Sequence, residues 1–235
     1  MNQHNYHETD GKLMVLMASQ SLEAFKKWYF DIHQNNILHL ENVSEYIANV
    51  KSEHEGSSPL ENKKLEPYGV MGVDEIKGVR WDEVRSLYAD VKIIGAYIVT
   101  EYLVKELHTD RPVGHKSPEL KSMSMLSRPV NKSLEQALDY WLNGHSIYAL
   151  RHHTGMACYY QNHIRERLTE DSAHIDGFPM ALYWNEDARK WGTFSRPDSK
   201  ELWEKDIVHF RSTSYRLLLD EYIMRRPASW WNGIN

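Results

Sequence analysis

The side chains able to do chemistry crowd into one stretch of this sequence. Of thirteen histidines, His145, His152, His153, His163 and His174 lie close together. A metal site on helices needs three or four converging ligands, commonly at i, i+3 or i+4 spacing. The chain has no His-Glu-x-x-His, and no Glu-x-x-His pair that repeats as in di-iron bundles. Asp206 and His209 have helical spacing but no clear partner set. Neither a metal nor a cofactor is therefore expected, and the histidines are expected to cap helices or face solvent. Arg167 and His174 flank Thr-Glu-Asp-Ser, which reads as a helix end and not as a catalytic face. Cys158, the single cysteine, excludes an internal disulfide and a cysteine zinc cluster, and no acid–base set marks it as a nucleophile. Gly69-Val-Met-Gly72 lacks the Lys and Ser/Thr of a phosphate loop. No residue is assigned a catalytic role.

Composition narrows the class. Hydrophobic residues make up 41% and charged residues 26% of 235, an ordinary globular balance. No stretch approaches the roughly 18 apolar residues of a membrane span. The N-terminus has neither a basic nor an apolar leader region, and a soluble, cytoplasmic protein is expected. Net charge is −5; residues 117–235 carry 15 basic and 15 acidic side chains, so the acidic excess lies in the first 116. The chain has no net basic coat, and any nucleic-acid contact must come from a local patch.

The elements that would position these residues read mostly as helices. Leu22, Phe25, Trp28, Tyr29 and Ile32 form one stripe over Ala18–Asn35. Leu40, Val43, Tyr46 and Ile47 suggest a second helix over Leu38–Val50. Residues 51–69 read as an exposed loop. Trp81–His108 reads as a long helix, or as a helix followed by a strand, since Ile93-Ile94 and Ile98-Val99 are β-branched. Breakers over His108–Lys132 place a domain boundary there, and no internal repeat is visible. After it, Ser133-Leu-Glu-Gln136 is a capping box opening a helix that stops at Asn143-Gly144.

Ser146 to Leu168 follows as a short helix, a turn at Gly155 and a second helix with Met156, Tyr160, Ile164 and Leu168 at four-residue spacing. Tyr159, Gln161, Asn162, Arg165 and Arg167 then occupy the opposite edge, with side chains able to bond bases or phosphates. Gly177–Trp184 and Trp191–Phe194 read as two strands joined by a polar turn. Over residues 133–196 this pattern resembles the winged helix-turn-helix DNA-binding proteins. The resemblance implies a recognition helix over Ala157–Leu168 in the major groove and a wing tip at Arg189 and Lys190 on phosphate. A capped helix is expected from Asp198 to about Arg225, followed by Trp230 and Trp231 as a docked tail or partner anchor.

Together these readings predict a mainly α chain with a small β-hairpin. A helical N-terminal region over 1–110 precedes a winged-helix-like region with a C-terminal helix over 130–235. The expected function is DNA binding in regulation or DNA transactions, with double-stranded DNA as partner and a homodimer or protein partner through the acidic half. A non-catalytic protein-interaction module on the same fold is the first alternative. A metal-dependent enzyme using the clustered histidines is the second.

Overall fold

Leu13-Met-Val-Leu-Met17 is apolar at every position, the pattern of a strand with water on neither face. All five side chains are buried. The computed structural model, which describes residues 7–53, 68–107, 111–191 and 196–226, shows why. One face of this strand lines the inside of a closed barrel, and the other is covered by helices.

The chain runs β1 (His7–Ala18), α1 (Leu22–Trp28), a π-turn (Tyr29–His33), α2 (Gln34–Leu38), β2 (Glu45–Lys51), β3 (Val70–Lys77), α3 (Trp81–Val84) and β4 (Lys92–Lys105). It continues through β5 (Leu120–Ser127), α4 (Leu134–Tyr140), a second π-turn (Trp141–His145), α5 (Ser146–His152), β6 (Met156–Arg167) and β7 (Gly177–Tyr183). The last elements are α6 (Glu186–Trp191), α7 (Ser199–Ile207) and β8 (Thr213–Arg225). The pattern β-α-β-β-α-β thus occurs twice. Within the first half the strand order is β4-β1-β3-β2, and within the second it is β8-β5-β7-β6. The two four-stranded sheets join edge to edge through β2–β8 and β4–β6, all pairs antiparallel, so no strand edge is left open.

The barrel interior is divided along its length. Toward one end Met14, Leu16, Val73, Tyr97, Met123 and Phe178 belong to a dry core. Toward the other, eight charged side chains alternate in sign. Glu45 pairs with Lys77 at 3.1 Å, and Lys77 with Glu101 at 3.2 Å. Lys12 binds both Glu101 and Glu75, the latter at 2.7 Å. Lys121 reaches Glu75 at 2.5 Å and Glu221 at 2.7 Å, and Glu221 ends on Arg111 at 2.7 Å. The chain of charges is itself two-fold. Lys12 lies opposite Val99 and pairs with Glu101, while Lys121 lies opposite Leu219 and pairs with Glu221. Glu75, donated by the first half, bridges both lysines.

The mainly α architecture and the winged helix are overturned. Residues 156–167, expected as a recognition helix, form β6. The cause is arithmetical: a spacing of four residues fits an α-helix, but four is also a multiple of the strand period of two. Tyr160 and Ile164 do share a face, and it is the barrel interior. The expected helix over 38–50 is likewise β2, and the latter part of 198–225 is β8. The open choice over 81–108 resolves as a short helix followed by β4. Glu186–Trp191, expected as the wing's turn and the start of its second strand, is the helix α6, and the rest of that strand lies outside the described residues. The Ser133 capping box is present, with Ser133 N donating to Gln136 Oε1 and Gln136 N to Ser133 Oγ, both at 3.1 Å. No described helix is long and apolar enough to cross a membrane.

Two consequences are measurable. Lys121→Met leaves Glu75 and Glu221 each short of a buried partner, and a loss of about 3–5 kcal/mol is expected in urea unfolding. Burial by itself would raise the carboxyl groups of Glu75, Glu101 and Glu221, but the facing Lys12, Lys77, Lys121 and Arg111 hold all three below the usual range. A depressed carboxylate stabilises the fold above its unfolded value and ceases to as pH falls. Stability is therefore expected to be flat above about pH 5 and to fall steadily below it; a titration showing no acid limb would contradict this.

Candidate active site

The two helical layers outside the barrel repeat one local device. Ser21 caps α1 and Ser133 caps α4, each accepting from a backbone N–H in the first turn. At the same distance from each cap the helix widens into a π-turn that opens on an aromatic residue and closes on a histidine, Tyr29–His33 in the first half and Trp141–His145 in the second. Such widened turns occur frequently at functional sites. Both histidines are buried against the outer face of the sheet.

In the first half the device is sealed. His33 Nε2 lies 2.7 Å from Asp74 Oδ2, and Nδ1 lies 3.2 Å from the Leu87 carbonyl oxygen. Asp74 also accepts from the hydroxyls of Tyr29, Tyr46 (3.0 Å) and Tyr88 (2.8 Å). Burial and the Asp74 charge push all three phenols well above their ordinary values, so they remain donors. Every ring nitrogen and both carboxylate oxygens are engaged. This is a buried, internally satisfied network.

In the second half the device is open. His145 Nδ1 lies 2.5 Å from Asp206 Oδ2 on α7, and Asp206 Oδ1 accepts from Tyr140 OH at 3.0 Å. With Nδ1 donating to the carboxylate, Nε2 is left as the basic nitrogen, and it has no hydrogen-bond partner among the described residues. The ring borders a partly open cavity of about 70 Å³ between the sheet and the layer of the second π-turn, α5 and α7. Trp141, Tyr159, Trp203 and Phe210 give it aromatic walls, and Arg211 and Arg216 give it charge. Arg216 Nε is buried without a hydrogen-bond partner, and neither guanidinium has an ion-pair partner among the described residues. Arg211 instead sits 4.8 Å from the centre of the Trp203 ring. Burial, and then the charge of Arg216, lowers Arg211 to about 10. Asp206 acts on Arg211 through its charge, but among the described residues no carboxylate pairs directly with either guanidinium.

Behind this cavity a layer of neutral groups fixes the walls. Gln161 Nε2 donates to the Trp141 carbonyl at 3.0 Å and to Ser146 Oγ at 2.7 Å. His163 stacks on Trp141 with ring centres 4.6 Å apart, and burial with the nearby Arg165 lowers it to about 3, which keeps it neutral. The barrel holds a larger cavity, about 350 Å³, bordered by Glu45, Lys77, Glu101, Arg111 and Tyr160. Apart from Glu106, the charges that line it belong to the alternating network, in which each has a partner of opposite sign. Among the described residues no group of three or more His, Cys, Asp or Glu is arranged to hold a metal ion.

The residues expected to touch DNA are dispersed by the fold. Tyr159 and Gln161 belong to the cavity wall and its support, and Asn162 is buried with its amide donating to the Phe178 carbonyl at 3.2 Å. Arg165 donates to Thr100 Oγ1 at 2.8 Å, and Arg167 to the Ile175 carbonyl at 2.8 Å. Arg189 is 1% exposed and clasped by Glu186, which Lys190 also approaches at 3.6 Å. Trp230 and Trp231 lie outside the described residues. With a strand where the recognition helix was expected and a helix where the wing turn was expected, the DNA-binding reading falls. His145 was noted only as one of a histidine cluster, and Asp206 only beside His209; Arg211 and Arg216 carried no signal. The paired spacings Ser21…Tyr29…His33 and Ser133…Trp141…His145 were the available clue.

No protein-family model matches the chain, and no curated protein matches it in sequence. Solved structures do match in fold. An anthrone oxidase-like protein superposes with a TM-score of 0.58 at 8% identity, over 94% of this chain and 99% of the other. A protein from Fusobacterium nucleatum described as a candidate monooxygenase gives 0.53 at 8% identity, over 91% of each chain. At that identity the likeness establishes the barrel fold and nothing further.

The contrast between sealed and open copies is testable by unfolding. Asp74→Ala strands His33 and three tyrosine hydroxyls, and a loss of about 3–5 kcal/mol is expected. Asp206→Asn retains an acceptor for His145 and is expected to cost about 1 kcal/mol. Equal losses would contradict the assignment of one copy to structure and the other to a site.

Proposed function

We propose that the chain is an enzyme that takes a proton from an acidic C–H or O–H of an aromatic substrate and passes the resulting anion to dioxygen for oxidation. The observation that carries this reading is the dyad. Asp206 holds Nδ1–H of His145, so the lone pair of Nε2 faces a cavity shared with two guanidiniums that lack partners. An imidazole oriented in this way is a general base, and Asp206 stabilises the imidazolium that forms on proton transfer. Arg211 and Arg216 then lie beside the new negative charge, in a site where most of the water has been excluded. The aromatic walls select a flat ring.

The oxidative half of the proposal is supported by analogy of fold, since an anthrone oxidase-like protein and a candidate monooxygenase share this barrel. Anthrone is a fitting probe because its methylene becomes acidic through the aromatic anion it yields. Oxidation by dioxygen removes two hydrogens from that carbon and adds one oxygen atom, while the second oxygen leaves as water. The cavity of about 70 Å³ is smaller than the ~150 Å³ cavity that admits benzene, so a larger ligand must displace a wall.

Oxygen consumption with anthrone is expected to exceed the uncatalysed rate. His145→Ala should lower it by about 10²–10⁴-fold, and Arg216→Met should weaken substrate use. Exchange of the methylene hydrogens in deuterated water under argon isolates the proton-transfer step. Exchange without oxygen uptake would retain the base and discard the oxidation. Activity unchanged in His145→Ala would sink the whole reading.

A further inference from the structure

Register relates the two halves residue by residue at the site. On β2 Asn49 lies opposite Val73, and on β6 Asn162 lies opposite Phe178. Each asparagine donates Nδ2 to the carbonyl of that opposing residue, at 2.9 and 3.2 Å, and each leaves Oδ1 buried without a partner. These pairs are equivalent stations. The next residue along β3 is Asp74, and the next along β7 is Pro179. Three residues before each asparagine stands a tyrosine, Tyr46 in one half and Tyr159 in the other. His33 and His145 already correspond through their π-turns.

In the first half, then, a carboxylate on the sheet receives His33 Nε2 at 2.7 Å and Tyr46 OH at 3.0 Å. In the second half the equivalent histidine and tyrosine persist while the carboxylate is gone. His145 Nε2 has no partner among the described residues. Tyr159 OH accepts from Trp141 Nε1 at 3.0 Å and Gln161 Nε2 at 3.3 Å, with no acceptor for its own proton among the described residues. Pro179, which occupies the aspartate's station, borders the cavity together with Arg211 and Arg216. We infer that this cavity binds a carboxylate, seated where the side chain of Asp74 sits in the other half and held by Tyr159, the two arginines and His145, whose Nε2 must take up a proton to donate to it while Asp206 balances the imidazolium. Asp74 is thus an internal copy of the ligand group.

The inference rests on the reading of this cavity as the ligand site, and needs no turnover. Acetate matches the terminal group of an aspartate, and benzoate adds the ring that the aromatic walls would hold. Titration calorimetry with benzoate, acetate and neutral benzamide tests it. Saturable binding of benzoate at least about tenfold tighter than of benzamide is expected, with a further loss of about tenfold in Arg216→Met. Pro179→Asp restores the tethered carboxylate, and is expected to abolish benzoate binding while raising the melting temperature. Equal binding of benzoate and benzamide, benzoate binding unchanged in Arg216→Met, or full benzoate binding in a folded Pro179→Asp would each overturn the inference. Benzoate binding without oxygen uptake would uphold it and refute the oxidation instead. Oxygen uptake unaffected by saturating benzoate would uphold the enzyme and refute the carboxylate seat.

Discussion

The carboxylate of Glu75 is the point on which the two halves of the barrel meet. It is buried between Lys12 from one half and Lys121 from the other. An isolated ion there would be prohibitively costly, so the strands must bring two ammonium groups to it, and each of those needs a second carboxylate. The sequence of charges from Glu45 to Arg111 follows from that requirement. It also explains why the barrel ends in a polar cavity and why the network's charges are already paired with one another. The His145–Asp206 pair and the two arginines lie outside the barrel, between sheet and helices.

Duplication gives the molecule two such outer layers, and one aspartate separates their fates. Where β3 places Asp74 under the π-turn histidine, tyrosines close around the carboxylate and the layer becomes part of the core. Where β7 places Pro179, the histidine keeps a free nitrogen, and α7 supplies Asp206 from the opposite side. Both layers use a π-turn to bring the histidine to the sheet. The difference lies in which nitrogen meets the carboxylate and in what remains beside the other.

Sequence patterns conveyed part of this arrangement. The stripe over residues 18–35 marks a helical segment, and the capping box at Ser133 marks the start of α4. Strand character at 177–184 was also visible. Reading β6 as a helix failed because its apolar residues recur every four positions, a spacing that strands and helices share. The strands also lack the clean alternation of a half-exposed sheet, since helices cover one face and the lumen carries charges. Nothing in the sequence around Lys12, Glu75, Lys121 and Glu221 marks them as buried, because their charges are matched only by partners on other strands. The repeat escaped notice because the halves share stations and few residues: Lys12 and Lys121, Glu101 and Glu221, His33 and His145.

By itself, the sequence determined the local features: where α4 begins, that one cysteine excludes a disulfide framework, and that no stretch is long and apolar enough for a membrane-spanning helix. Those depend on neighbours along the chain. The tertiary structure alone decided that His145 meets Asp206, that Glu75 lies between lysines of both halves, and that two arginines share a cavity without a carboxylate. Such pairings join residues far apart in sequence. They are set by strand register and barrel closure, for which no short segment carries a signal.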